Sequence, residues 1–256
     1  MADLFGTLVY TPLYNALIGF VDIIPGGDLG FSLIALTILI KLLILPLSIK
    51  AVKTQLMMKE IEGPLREIQQ KYKDDRQKQA EEVMALYKEK GVNPFSMLLV
   101  LLIQLPIIFG LYWVFARGGL PEVDPTLLYT FVPEPAVVSM LFLGLIDLGG
   151  KSWLLALGAG VSQFFQAKLA MPAPPEKKDG EAPSFKDDFA RSMHLQVRYV
   201  LPVFVTFAAY YISAAVALYW VTSNIFTILQ ELYVRRTVKR PHEEARKQRE
   251  EAEAAT

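Results

Sequence analysis

Long apolar runs alternate with short charged ones along this chain, and the run lengths predict most of its elements. Residues 31–49, FSLIALTILIKLLILPLSI, hold a single charge and are long enough to cross a bilayer, for which about 20 apolar residues suffice. A second run covers 94–115 and opens on Asn93-Pro94, a favourable helix start because Asn caps and Pro loses no needed N–H in the first turn. A third run, 152–169, is rich in small residues, with Ala156/Gly160 and Gly158/Ser162 at the four-residue spacing that lets helices approach closely. The last apolar stretch, 199–234, would be roughly 54 Å long as one helix, against a hydrocarbon core of roughly 30 Å. With basic residues at both of its ends it is expected to go out and return, splitting near Ser213-Ala214-Ala215 into a fourth and a fifth span.

Weaker patterns fill the gaps. In residues 4–24, Leu13, Leu17, Phe20, Val21 and Ile24 recur at helical spacing, while Asn15 and Asp22 fall elsewhere. That suits a helix lying in the interface, with a full span near the terminus as the competing reading. Pro25-Gly26-Gly27 then turns the chain. Residues 136–146 are apolar but too short to span and read as an interfacial or re-entrant helix. In 50–92, Leu65, Ile68 and Tyr72 share one helical face, Ala80, Val83, Met84 and Tyr87 another, and Asp74-Asp75 lies between them as turn and cap. Two short amphipathic helices joined in this way predict a hairpin; solvated structural helices explain its near-balanced charge without a binding role.

The resulting division is an interfacial amphipathic helix at 1–27, a first span at 28–49, a cytoplasmic hairpin at 50–92 and a second span at 93–117. An extracytoplasmic segment at 118–151, a third span at 152–170 and a cytoplasmic loop at 171–193 follow. A fourth span at 194–212, a fifth at 216–235 and a charged cytoplasmic tail at 236–256 complete it. The class is an all-α integral membrane protein.

Composition and charge sharpen this. Of 256 residues 53% are hydrophobic, and the net charge of zero conceals an uneven distribution. Residues 1–30 contain no Lys or Arg, whereas the segments at 50–90 and 235–249 are dense in both. By the positive-inside rule, five spans with the N-terminus outside place every basic segment in the cytoplasm. The N-terminus lacks the basic stretch of a cleavable signal peptide, so the first span is expected to serve as the address. The absence of cysteine excludes thiol catalysis and disulfides, and two histidines leave no histidine-rich metal site. Gly149-Gly150-Lys151-Ser152 is not a P-loop, since Leu145 stands where the first glycine is needed. No cofactor is expected.

Lys41 is the conspicuous residue. A lysine at the centre of a spanning helix costs roughly 2.5–3.5 kcal/mol on insertion scales, and such residues usually face a polar cavity. Snorkelling to the surface is the alternative. Thr37, Lys41 and Ser48 lie roughly on one face of the first span, Gln104 sits in the second, and Ser162, Gln163 and Gln166 lie in the third. Ser223, Asn224, Thr227 and Glu231 line part of the fifth. Each is explained separately by interhelical hydrogen bonding; together they could surround a hydrated groove.

KLLILPLSIKAVKTQ after the first span, ALYKEKGVNPFSMLLVLLIQLPI into the second and ALYWVTSNIFTILQ in the fifth resemble the YidC/Oxa/Alb-type membrane protein insertases. The resemblance covers nearly the whole chain from Tyr10 to Arg236, in the short form without a large periplasmic domain. It implies five helices around a polar groove open to the cytoplasm and to lipid, and a cytoplasmic hairpin that handles substrates. It implies nascent membrane proteins as partners, ribosomes engaged by basic C-terminal residues such as Arg235, Arg236, Lys239 and Arg240, and work alone or beside the Sec translocon. It implies a bacterial plasma membrane location. Where the family usually carries an arginine this chain has Lys41, which keeps the charge without the bidentate fork. Where the family commonly has Pro and Gly between the last two spans, this chain has Ser213-Ala214-Ala215. A small transporter or channel component with Lys41 in a substrate site is the alternative from another class, as is a structural subunit of a larger complex.

Overall fold

The computed structural model describes residues 2–93, 95–117, 119–170, 192–193 and 195–239, and the isolated positions 241, 244 and 248. Pro94, Arg240, nearly all of the 171–193 loop and most of the 236–256 tail lie outside these. The chain forms two compact units, Met1–Lys41 with Pro106–Glu231, and Leu42–Leu105 with Leu232–Thr256.

The described residues are predominantly helical. Helix α1 (Ala2–Phe5) runs through one wide turn, Gly6–Tyr10, into α2 (Thr11–Ile23). Pro12 explains the widening: its ring would clash with the carbonyl four residues back, and a π turn moves that carbonyl away. The same device recurs at Gln196–Val200, two residues before Pro202 opens α8 (Leu201–Ile212). The other helices are α3 (Leu29–Glu60), α4 (Glu62–Lys71), α5 (Arg76–Glu89), α6 (Phe95–Arg117), α7 (Trp153–Ala170) and α9 (Ala214–Val234). Within α3, Leu29–Met58 is apolar over 30 residues and long enough to cross a membrane; it is the one helix among the described residues that meets this test. Leu102–Phe115 in α6 is a shorter apolar stretch.

In the first unit, α2 buries Tyr14, Leu17, Ile18 and Val21 against Leu29, Leu33 and Leu36 of α3, Leu111 and Val114 of α6, and Leu218 and Tyr219 of α9. Asn15 turns inward as well, contrary to the pattern that set it apart. Its amide donates to Leu127 O at 2.8 Å and accepts from Tyr129 N at 2.6 Å, so a loop carbonyl and a loop N–H both find partners on the helix. Tyr14 Oη accepts from Asp124 N at 3.0 Å beside it. Helix α7 packs on α8 through Ala156, Ala159, Val205 and Ala209, and Trp153 stacks on Tyr210 with ring centroids 3.9 Å apart. Gly160 permits that approach, because a Cβ there would overlap Thr206 Oγ1 and lie 2.9 Å from Pro202 O. Such close packing gains dispersion energy that a gap would forfeit.

Residues 136–146 do not form the expected helix. They build a two-stranded hairpin, β1 (Leu141–Phe142) and β2 (Ile146–Asp147), with Leu141 opposite Asp147 and Phe142 opposite Ile146. Pro133 and Pro135 upstream disfavour helix, and Leu143 and Gly144 adopt left-handed backbone at φ 54° and 69°, which reverses the chain. The hairpin is stitched to both neighbours. Ser139 N donates to Gly27 O and Leu29 N to Ser139 O, at 2.9 and 3.0 Å. A Cβ at Gly27 would overlap Val137 O, and its φ of 63° also requires glycine. On the other side Ala214 N and Ala215 N donate to Gly150 O and Leu148 O at 2.8 and 3.1 Å. The corner between α8 and α9 is Ser213 alone, fully extended at φ −172° and ψ 162°, so α9 begins two residues before the expected 216.

In the second unit, α3 does not stop at 49. Residues 50–60, with no Gly or Pro, extend it to Glu60, and the hairpin proper begins at Glu62. Asp75 caps α5 by accepting from Lys78 N at 3.0 Å. Ile61, Leu86 and Val92 form the core, with Leu65, Ile68 and Tyr87 packed against it. The expected face through Ala80 and Met84 is off by a residue: both are exposed, Val83 is half-buried and Leu86 is buried. Gln79 opens the true face and masks its apolar character, donating to Gln69 O at 2.8 Å. Tyr72 is half-buried, with the ammonium groups of Lys71 and Lys78 over its ring at 5.4 and 5.5 Å.

Candidate functional site

Helix α9 carries a polar strip inside an apolar sequence. Ser223 and Asn224 are buried and Thr227, one turn on, is half-buried. An apolar helix tolerates such residues when neighbouring helices supply partners, and here two helices do. On one side Asn224 Nδ2 donates to Ser162 Oγ at 3.1 Å and lies 3.4 Å from Ala159 O, tying α9 to α7. Ser162 in turn donates to Ala159 O at 3.0 Å. On the other side Lys41 Nζ donates to Thr227 Oγ1 at 3.3 Å, tying α9 to α3, while the threonine hydroxyl donates to Ser223 O at 2.8 Å. Thr227 can accept from the ammonium because its own proton is committed to its helix.

The other expected site residues divide. Gln163 Nε2 donates to Gln166 Oε1 at 3.2 Å on α7, both side chains half-buried. Thr37 is 1% exposed, and its hydroxyl donates to Leu33 O at 2.7 Å, which satisfies it within α3. Ser48 and Gln104 are half-buried members of the second unit. Arg235 and Arg236 are exposed in the turn Arg235–Lys239 that follows α9.

The arrangement presents a cation and several hydroxyl and amide groups within helices otherwise apolar. It has the equipment to hold a polar or anionic group by charge and hydrogen bonding. Among the described residues no cluster of histidine and carboxylate side chains suited to a metal is present. Sequence reasoning missed two polar anchors outside this strip, Asn15 and Asp28. Asp28 Oδ1 caps α3 by accepting from Gly30 N and Phe31 N at 2.7 and 3.0 Å. A cap signal was present in the aspartate directly ahead of an apolar run.

Comparisons with known proteins point the same way. Residues 20–242 match the family described as 60Kd inner membrane protein. A relative named membrane protein insertase YidC 2, from Listeria innocua, is 32% identical over 223 residues, which cover 86% of this chain and 68% of the relative. Membrane protein insertase YidC from Clostridium tetani is 31% identical over 234 residues, covering 88% of this chain and 94% of that one. Its counterpart from Francisella philomiragia is 32% identical over 218 residues, but these cover only 34% of the longer protein. With most of its length matched by the family and by relatives of similar size, the chain belongs to the 60Kd inner membrane protein family, the YidC/Oxa/Alb-type insertases.

Proposed function

We propose that this chain is a membrane protein insertase that works through a hydrated groove lined by Lys41, Asn224 and Thr227, without hydrolysing nucleotide. Five spans cross a bacterial plasma membrane, with the N-terminus outside and the basic segments in the cytoplasm. Gln163 and Gln166 extend the polar lining. The observation that carries the reading is Lys41, set within the long apolar helix and held 3.3 Å from the Thr227 hydroxyl.

The physical task is kinetic. A substrate helix gains roughly 0.3–0.6 kcal/mol per Leu-like residue on entering lipid, so insertion runs downhill. The polar segment ahead of that helix must first cross hydrocarbon that cannot hydrogen-bond it. A groove reaching partway shortens the crossing. Within it the ammonium attracts acidic residues by about 4 kcal/mol for a close pair at an effective dielectric of 20, and water weakens this enough to keep the contact transient. The hairpin of α4 and α5 receives substrates. Arg235, Arg236, Lys239 and Arg240 contact ribosomal RNA phosphates, and the Sec translocon is a further partner.

The test is reconstitution. Proteoliposomes carrying the protein should insert a single-span substrate with an acidic translocated tail, protecting that tail from added protease, whereas empty liposomes should not. Equal protection in both would overturn the proposal. Ribosome co-sedimentation across a salt series should fall steeply, as phosphate contacts require, and weaken further when Arg235, Arg236, Lys239 and Arg240 are replaced by glutamine.

A further inference from the structure

The hairpin between α6 and α7 presents apolar side chains for which folding offers no reason. Leu145 is 84% exposed and Leu143 58%, with Leu141 exposed beside them. Leu143 sits at φ 54°, a left-handed backbone that glycine or asparagine would adopt with less strain. A leucine there makes poor sense at a water-facing turn. No charge occurs between Glu134 and Asp147.

The backbone of the tip is also closed to water in the manner hydrocarbon demands. Gly144 N donates to Leu141 O at 3.2 Å and Leu145 N to Phe142 O at 3.1 Å. Leu143 N finds Asp28 Oδ2 at 3.3 Å. The three consecutive N–H groups at the turn are therefore satisfied internally, which is the condition for irregular backbone near lipid. Position completes the case. Asp28 caps α3, and the Phe142 ring meets the exposed Phe31 edge-on at 5.4 Å, so the tip lies level with the first turn of the helix that crosses the membrane.

We propose that the tip of this hairpin, Leu141 to Leu145, is immersed in the acyl chains of the outer leaflet. The occupant of this apolar face is lipid: the exposed Phe31, which meets the hairpin at Phe142, shares a flank of α3 with the exposed Ile38 and Leu42. The inference rests on the proposed orientation, with the Leu29 end of α3 outward.

The chain has no cysteine, so single cysteines at Leu141 and Leu145 can carry a nitroxide in the full-length protein. The protein is reconstituted in vesicles of phosphatidylethanolamine and phosphatidylglycerol. Collisions with oxygen, which concentrates in lipid, are compared with collisions with a water-soluble nickel chelate. Phe204, exposed on α8, is the lipid control and Glu122 the water control. The expected result is an oxygen-to-nickel ratio at 141 and 145 several-fold above that at 122 and close to that at 204. Nickel-dominated collisions at 141 and 145 beside an oxygen-dominated 204 overturn the proposal while leaving the spanning helices in place. Nickel-dominated collisions at 204 as well overturn the membrane reading itself. Shielding from both reagents shows a protein surface over the tip, and that too overturns lipid as the occupant.

Discussion

Lys41 keeps its place because Thr227 has one lone-pair direction to spare. The threonine proton goes to Ser223 O at 2.8 Å, which orients the hydroxyl oxygen towards the ammonium 3.3 Å away. Charge and hydrogen bond can be separated by substitution. Lys41→Arg should retain insertion, and Lys41→Glu should abolish it for substrates with acidic translocated segments, measured by protease protection at matched protein levels. Thr227→Val preserves shape but removes the acceptor. A hydrogen bond is worth about 1 kcal/mol net, so insertion should slow roughly fivefold. Full activity in the Glu variant would remove the charge from the mechanism. The sequence exposed Lys41 and Thr227 separately, each as a polar residue in an apolar run. It did not show them as a pair, because pairing depends on which helices are neighbours, and residues 186 positions apart carry no local signal of that. Thr37 illustrates the opposite limit: one turn from Lys41, it is turned back on its own helix.

At the scale of elements, apolar run length and turn chemistry were the legible features. The Pro25-Gly26-Gly27 turn and the capping Asp75 follow directly from residue type. Two elements were misread, for physical reasons. Residues 50–60 look like a boundary because Lys50 and Lys53 are charged, yet charge does not end a helix and no breaker is present. The stretch 136–146 lacks clear periodicity, and its hairpin depends on partners in α3 and at the start of α9. Small-residue spacing in α7 proved a better guide, and it supports a test. Gly160→Ala places a methyl onto Thr206 and Pro202 O, so it should destabilise by about 1–3 kcal/mol, as overpacking does. Gly19→Ala in α2 meets nothing within 4 Å and should be neutral or stabilise by up to about 1 kcal/mol. Thermal unfolding in detergent compares the two; equal midpoints would mean that α7 and α8 do not pack as described.

For the whole molecule, the proposed five spans dictate which way each segment faces, and labelling tests it. Cysteines at Glu122 and Gln77, both exposed, discriminate cleanly. An impermeant thiol reagent should label position 122 in intact cells, and position 77 only after lysis. Labelling of 77 from outside would invert the five-span arrangement. Ser32, at the start of α3, is unsuitable for such mapping, since it is fully buried with its hydroxyl donating to Asp28 O at 2.7 Å.

The corner at Ser213 has a consequence for how this chain can vary in length. One extended residue separates α8 from α9, and the next two N–H groups are clamped to Gly150 O and Leu148 O. The rotational phase of α9 is therefore set at its first turn, well over two turns ahead of Asn224 and Thr227. A single codon inserted after Ser213 would rotate everything downstream by about 100°. Asn224 would swing away from Ser162 and Thr227 from Lys41 at one stroke. Scanning insertions should thus find a sharp intolerant notch at 213–215, while the exposed stretch around Glu122 accepts extra residues.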